Sequence, residues 1–241
     1  MNNDWGWLVT VLAEKLSPVY IVPRAHGCHD LPHVTRMVAM ADEICDLIGG
    51  VDKCFFKITV WLHNADRIPE FQKDIKTWGL ESFLRAMLPY SFPASITDEI
   101  IDAVLKHSKK DDEPQDSPLL LALRVADKWD RIGILGAVSG FEWLGSRLPS
   151  YDPQKPYGYG NTAEGHYKTI YQNLFRILEW YGMSSHVRAL VERHPWKMEH
   201  LLSFIRAYGR EVAEAHKIPN TSEEDIRKAL GTYYEKWAPK S

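Results

Sequence analysis

Apolar residues recur with helical spacing along most of this chain. Between Asp30 and Ile48 they fall at Val34, Met37, Val38, Ala41, Ile44, Cys45 and Ile48, which is one stripe of a helix. Pro32 suits the first turn of that helix, where a missing N–H costs nothing. The Ile-Gly-Gly at 48–50 suits its end. Residues 53–64 are apolar on nearly all sides, the pattern of a buried central helix. The same periodicity predicts further helices near 74–88, 95–107, 118–132, 163–181, 184–216 and 221–236. Alternating runs bounded by turn residues, the mark of strands, do not occur. Two connections look long, 108–118 and 145–162. The second is rich in Gly, Pro and Tyr, and long loops in compact domains are usually functional or disordered, which makes it a candidate lid. No internal repeat or linker interrupts the pattern. We expect one all-α domain over 1–241, with 221–236 as its C-terminal helix.

Composition narrows the function classes. The chain has 241 residues, 45% hydrophobic and 25% charged, ordinary for a globular protein with a sizeable core. A formal net charge of −3 argues against dedicated nucleic-acid binding, whose footprint is a basic excess. It leaves room for a local basic pocket that takes a small anion. The three cysteines, Cys28, Cys45 and Cys54, form no CxxC pair and are odd in number, so a reducing compartment is expected. The N-terminus carries an early acidic residue and no basic n-region, unlike a secretory signal. No apolar run is long enough for a membrane span. These features lead us to expect a cytoplasmic protein that makes no membrane contact.

The stretch "WLHNADRI" at 61–68 ends the most apolar segment with polar groups. Buried polar groups cost free energy unless something satisfies them. A metal would do so. Four places carry metal-type ligands: His33 one turn into the first core helix, His63 and Asn64 at the end of the buried helix, His107 at another helix end, and Asp127 in mid-helix. Imidazole with carboxylate suits Mn, Fe, Co, Ni or Zn, and carboxylate-rich sites suit Mg. Each residue also has a plainer reading. A single histidine on an apolar helix face is more often a satisfied core residue than a ligand. Asp127 could be held by Arg124 or Lys128, one turn or less away.

Taken in order, "HDLPHVTRMVAMADEI", "WLHNADRI", "VLKHSKK" and "RVADKWDRIG" resemble the HD-domain metal-dependent phosphohydrolase superfamily. That family has an early His, a His-Asp doublet ending a buried helix, and a late Asp. The stretch "VADKWDRIGILGAVSGFEWLG" is similar to a bacterial branch of predicted HD hydrolases, some of which resemble nucleotide pyrophosphohydrolases. Weaker echoes follow in "GHYKTIYQNLFRILEWYG" and "ERHPWKMEHLLSFIRAYGREVAE", so the resemblance spans roughly 20–215. It implies an HD-type helical bundle, a divalent metal ion, and a small phosphorylated substrate such as a nucleotide. His33, His63 and Asp127 match the family's ligand positions. Asn64 stands where the doublet aspartate belongs. An asparagine still offers Oδ1, but it is neutral, so the cation should be held more weakly. In the family that aspartate also helps polarise the water nucleophile. A degenerate HD domain that binds a nucleotide or a protein partner without turnover is therefore the alternative to an active hydrolase. Asp66, two residues on, is a candidate replacement if the chain turns back after Asn64; otherwise it pairs with Arg67 or caps the loop.

Further candidates surround these positions. Arg36 follows His33 by three residues on the same helix face, and a guanidinium is shaped for phosphate. A surface salt bridge is its other reading. Arg67 could likewise face the site, and Lys128, which neighbours Asp127 but points elsewhere around the helix, is a weaker candidate for binding phosphate. His107 could be an extra ligand, a general acid for the leaving group or a helix-end cap. His29 and Asp30 precede the ligand helix, Asp30 as N-cap or as a group orienting an imidazole. His26 could line the mouth, and Asp130 reads as structural support. His186, His194, His200 and His216 fit a solvated face. Tyr151, Tyr157 and Tyr159 could stack on a base or sugar, or simply pack the loop.

Overall fold

The computed structural model describes residues 5–21, 29–108, 115–145, 147–152 and 168–239. The protein is all-α: among the described residues every regular element is helical. The chain divides into two compact units, Met1–Asp127 and Lys128–Ser241.

The first unit contains α1 (Gly6–Tyr20), α2 (Leu31–Ala39), α3 (Ala41–Ile48), α4 (Lys53–Leu62), α5 (Gln72–Trp78), α6 (Leu80–Met87), α7 (Ala94–Lys106) and α8 (Pro118–Arg131) as far as Asp127. At its centre lies α4, packed by α1, α2, α3 and α7. Its residues from Phe56 to Leu62 are buried except for Lys57, as an all-round apolar helix must be. Asp52 caps its start by accepting from the Cys54 and Phe55 N–H groups. On α1 the core-facing stripe is Leu8, Leu12, Leu16 and Tyr20, one residue per turn. The guanidinium of Arg124, fully buried on α8, pairs with Asp116 and donates to the Lys106 carbonyl. That contact ties α8 to the end of α7.

Several expected helices are broken. The stripe from Asp30 to Ile48 forms two helices, because the chain tightens at Met40, whose N–H is shared between the Arg36 and Met37 carbonyls. The helix near 74–88 splits at Gly79, which takes φ +82°, a conformation that glycine adopts readily. No expectation covered α1.

The second unit holds the end of α8, then α9 (Ile134–Leu144), α10 (Ile170–Met183), α11 (Ser185–Arg193), α12 (Trp196–His216), α13 (Ser222–Leu230) and α14 (Tyr234–Trp237). Here α10 packs on α9, α11 and α13, and α12 on α9, α11 and α13. The segment expected as one helix over 184–216 breaks at His194-Pro195, since proline cannot continue the α11 ladder. Gly209 sits where any side chain would collide with the Ser222 hydroxyl. Tyr151, from the expected lid, is hydrogen-bonded through its hydroxyl to His216 Nε2 at 3.0 Å. Tyr157, Tyr159, His26 and the start of the helix expected over 163–181 lie outside the described residues. No helix among the described residues is long and apolar enough to cross a membrane.

Candidate metal centre

Three elements of the first unit converge on one point. Asp30 caps α2 by accepting from the His33 N–H at 2.9 Å, which sets the register that turns His33 inward. His63 follows α4 directly, at the inner end of the buried helix. Asp127 comes from α8. His33, His63 and Asp127 each bring a ligand atom into a group whose members lie within 4.8 Å of one another. His33 Nε2 is 3.3 Å from His63 Nε2 and 3.5 Å from Asp127 Oδ1. Both histidines are buried, and Asp127 is partly exposed.

The proton on His63 has a defined place. Its Nδ1 lies 2.6 Å from the Val60 carbonyl oxygen, which can only accept, so Nδ1 carries the hydrogen and Nε2 presents its lone pair to the cluster. A ligating histidine usually holds its other nitrogen in this way. Burial holds the His63 imidazole well below the ordinary histidine range, with His33 and His107 adding to the effect; Asp127 and the Val60 carbonyl oppose it. His63 is thus neutral, the form a metal requires. Two imidazoles and a carboxylate, two of the three deeply buried, fit a divalent transition metal, and the group could hold one.

Asn64 lies beside the cluster and is only 1% exposed. Its amide Nδ2 is 2.6 Å from His63 Nε2. His107 stands at the edge, its ring centroid 5.4 Å from that of His63. Like His63, it bonds through Nδ1 to a carbonyl one turn back, that of Val104, at 2.6 Å. It therefore caps α7 and at the same time directs Nε2 away from the cap. His29 packs edge-on to His33, with centroids 6.0 Å apart. Arg36 is half-buried on α2, one turn beyond His33.

Asp66 and Arg67 pair with each other at 3.2 Å in a short 3₁₀ turn over 65–67, 36% and 44% exposed. The structure does not bring Asp66 into the three-ligand group. Lys128 is buried and follows Asp127 on α8, about 100° around the helix from it. Asp130 is also buried.

One residue that no motif pointed to helps build the site. Tyr20, buried at the end of α1, donates its hydroxyl to the Trp61 carbonyl at 3.0 Å. It thereby satisfies a carbonyl at the C-terminal end of α4, a group the helix itself leaves open. It also fixes the turn that carries His63 and Asn64. The signal was present in the four-residue repeat that ends at Tyr20.

No protein-family model matches the sequence, and no curated protein matches it. Solved structures do. A crystal structure of a Lactobacillus plantarum protein superposes with a TM-score of 0.63 at 17% identity, over 89% of this chain and 100% of that one. Bacillus subtilis YpgQ superposes at 0.58 with 18% identity, over 85% and 95% of the two chains. YpgQ in complex with ADP gives 0.57 at the same identity and coverage. These likenesses show a shared all-helical fold.

Proposed function

We propose that the protein is a metal-dependent phosphohydrolase of the HD type, acting on a nucleotide or another small phosphate ester or anhydride. The observation that carries this reading is the buried convergence of His33, His63 and Asp127, with the His63 lone pair aimed inward by its bond to Val60. The order of these residues in the chain, the likeness in fold to a protein solved with ADP and the basic Arg36 beside His33 support it.

His33, His63 and Asp127 would hold the ion. The donor set favours Mn, Fe, Co, Ni or Zn over Mg, because Mg prefers an all-oxygen environment. A bound divalent ion would supply an acidified water and a Lewis acid for the phosphoryl oxygens. The protein's own part is positional. Val60 fixes the His63 imidazole, and Asp30 caps the helix that carries His33. Arg36 offers donors for phosphoryl oxygens, where charge builds during transfer. His107, with its Nδ1 proton committed to Val104, is poised to exchange a proton at Nε2. The Asp66–Arg67 pair lies on the exposed turn just after Asn64, and we assign it to the rim.

A second reading has its own observation. The Asn64 amide bonds the His63 nitrogen that a metal would use, which favours a catalytically degenerate domain that binds a nucleotide or a protein partner without turnover. A panel of nucleoside mono-, di- and triphosphates, assayed for phosphate or pyrophosphate release with each of the five metals, separates the two. The phosphohydrolase reading expects turnover that chelator abolishes and that His63→Ala lowers by orders of magnitude. Nucleotide binding without turnover, unchanged in His63→Ala, would establish the degenerate domain instead.

A further inference from the structure

Asn64 touches the cluster through one contact, and that contact is to a ligand atom. His63 Nε2 is reached by Asn64 Nδ2 at 2.6 Å. The chemistry fixes which end of the amide must face it. The ring hydrogen lies on Nδ1, against Val60, so Nε2 is an acceptor. An amide N–H fits it, whereas the amide oxygen turned there would set lone pair against lone pair. Both side chains are buried, so water offers little competition for the bond.

We propose that Asn64 is an internal competitor for the metal: its amide occupies the lone pair of His63 that the ion needs, so binding must break this hydrogen bond. The inference rests on the metal reading above and deepens it, since it makes Asn64 the residue that sets affinity. An aspartate at this position could not act so, because a carboxylate has no hydrogen to give Nε2. Asn64 therefore weakens the site in two ways: it carries no charge, and it blocks a ligand atom.

The competitor and ligand roles predict opposite signs for variants that lack the amide. Asn64→Leu keeps the side-chain volume in the buried pocket and removes the donor, and Asn64→Ala removes both. Each is titrated with Co²⁺ alone, followed by its visible absorption, after far-ultraviolet circular dichroism confirms the helical fold. A net hydrogen bond contributes enough that its removal should tighten Co²⁺ binding roughly fivefold. Unchanged or weaker binding in the folded variants, with the parent still binding Co²⁺, overturns the competitor role and leaves the metal reading standing. No Co²⁺ binding by parent or variants overturns the metal reading and the inference with it.

Discussion

The imidazoles of His33 and His63 meet nitrogen to nitrogen, Nε2 to Nε2 at 3.3 Å, inside the first unit. Two lone pairs do not rest against each other at that distance without a proton or a cation between them. The His63 hydrogen is held on Nδ1 by Val60, and its Nε2 lone pair takes the Asn64 amide N–H. A metal would join the two nitrogens and draw on Asp127, 3.5 Å from His33, as its anionic partner.

Removing one imidazole should therefore cost metal affinity directly. His33→Ala should bind Mn²⁺ at least about tenfold more weakly than the parent, since loss of even an outer partner of a ligand costs 10–100-fold. Equilibrium dialysis measures this. Equal Mn²⁺ retention by the variant would remove His33 from the ligand set.

Tyr20→Phe deletes one hydroxyl and nothing else. It leaves the Trp61 carbonyl short of a partner in a buried place, at a cost of about 1–3 kcal/mol. Urea unfolding should show that loss, and Mn²⁺ affinity should fall with it, because the turn bearing His63 loosens. A variant as stable as the parent would show that Tyr20 does not brace α4.

Far from the cluster, Asp225 on α13 is buried, and its Oδ2 has no hydrogen-bond partner among the described residues. Burial pushes its carboxyl up to about 6, with Lys228 opposing and Glu224 adding to the rise. The folded state thus prefers the neutral acid. Well below pH 4 the group is neutral in both states and costs nothing. As pH rises towards 6 the unfolded chain ionises first and stability falls; above 6 the whole penalty applies. Each pKa unit is worth about 1.4 kcal/mol, so the penalty at neutral pH is on the order of 2–3 kcal/mol. Asp225→Asn should be more stable than the parent at pH 7.5 and nearly equal to it at pH 3, as followed by urea unfolding at each pH. A pH-independent difference would refute this account of Asp225.

Packing in the second unit gives a sharper mechanical prediction. Gly209→Ala would drive a Cβ into Ser222, whose side chain is bonded to Asn220 and close to the Tyr171 hydroxyl. Overpacking of this kind typically costs about 1–3 kcal/mol. Calorimetry of the variant should show a lower transition temperature; an unchanged one would mean that α12 and α13 move apart freely.

Much of the fold was legible because burial imposes periodicity. The all-round apolar segment 53–64 became the central α4, and Asp30 caps α2 as its position suggested. The breaks at Met40, Gly79 and Pro195 were harder to see. The apolar stripe continues across each of them, so periodicity alone joins what the backbone divides. The first helix went unread although Leu8, Leu12, Leu16 and Tyr20 mark it, because Pro18 lies inside it. At the candidate site, the residue types alone offered His33, His63, Asn64, His107 and Asp127, and it was the resemblance to the HD superfamily that singled out His33, His63 and Asp127. Neither could show that Tyr20 braces the turn, since nothing local links residue 20 to residue 61. Nor could they show which end of the Asn64 amide faces His63; only the bond to Val60 decides that.

The central claim is that one divalent ion sits between α2, α4 and α8. Crystals soaked in Mn²⁺, with data collected where manganese scatters anomalously, test it most directly. The account predicts an anomalous peak within bonding distance of His33 Nε2, His63 Nε2 and Asp127 Oδ1. A clean map with no peak there, or a peak held by other residues alone, would contradict it.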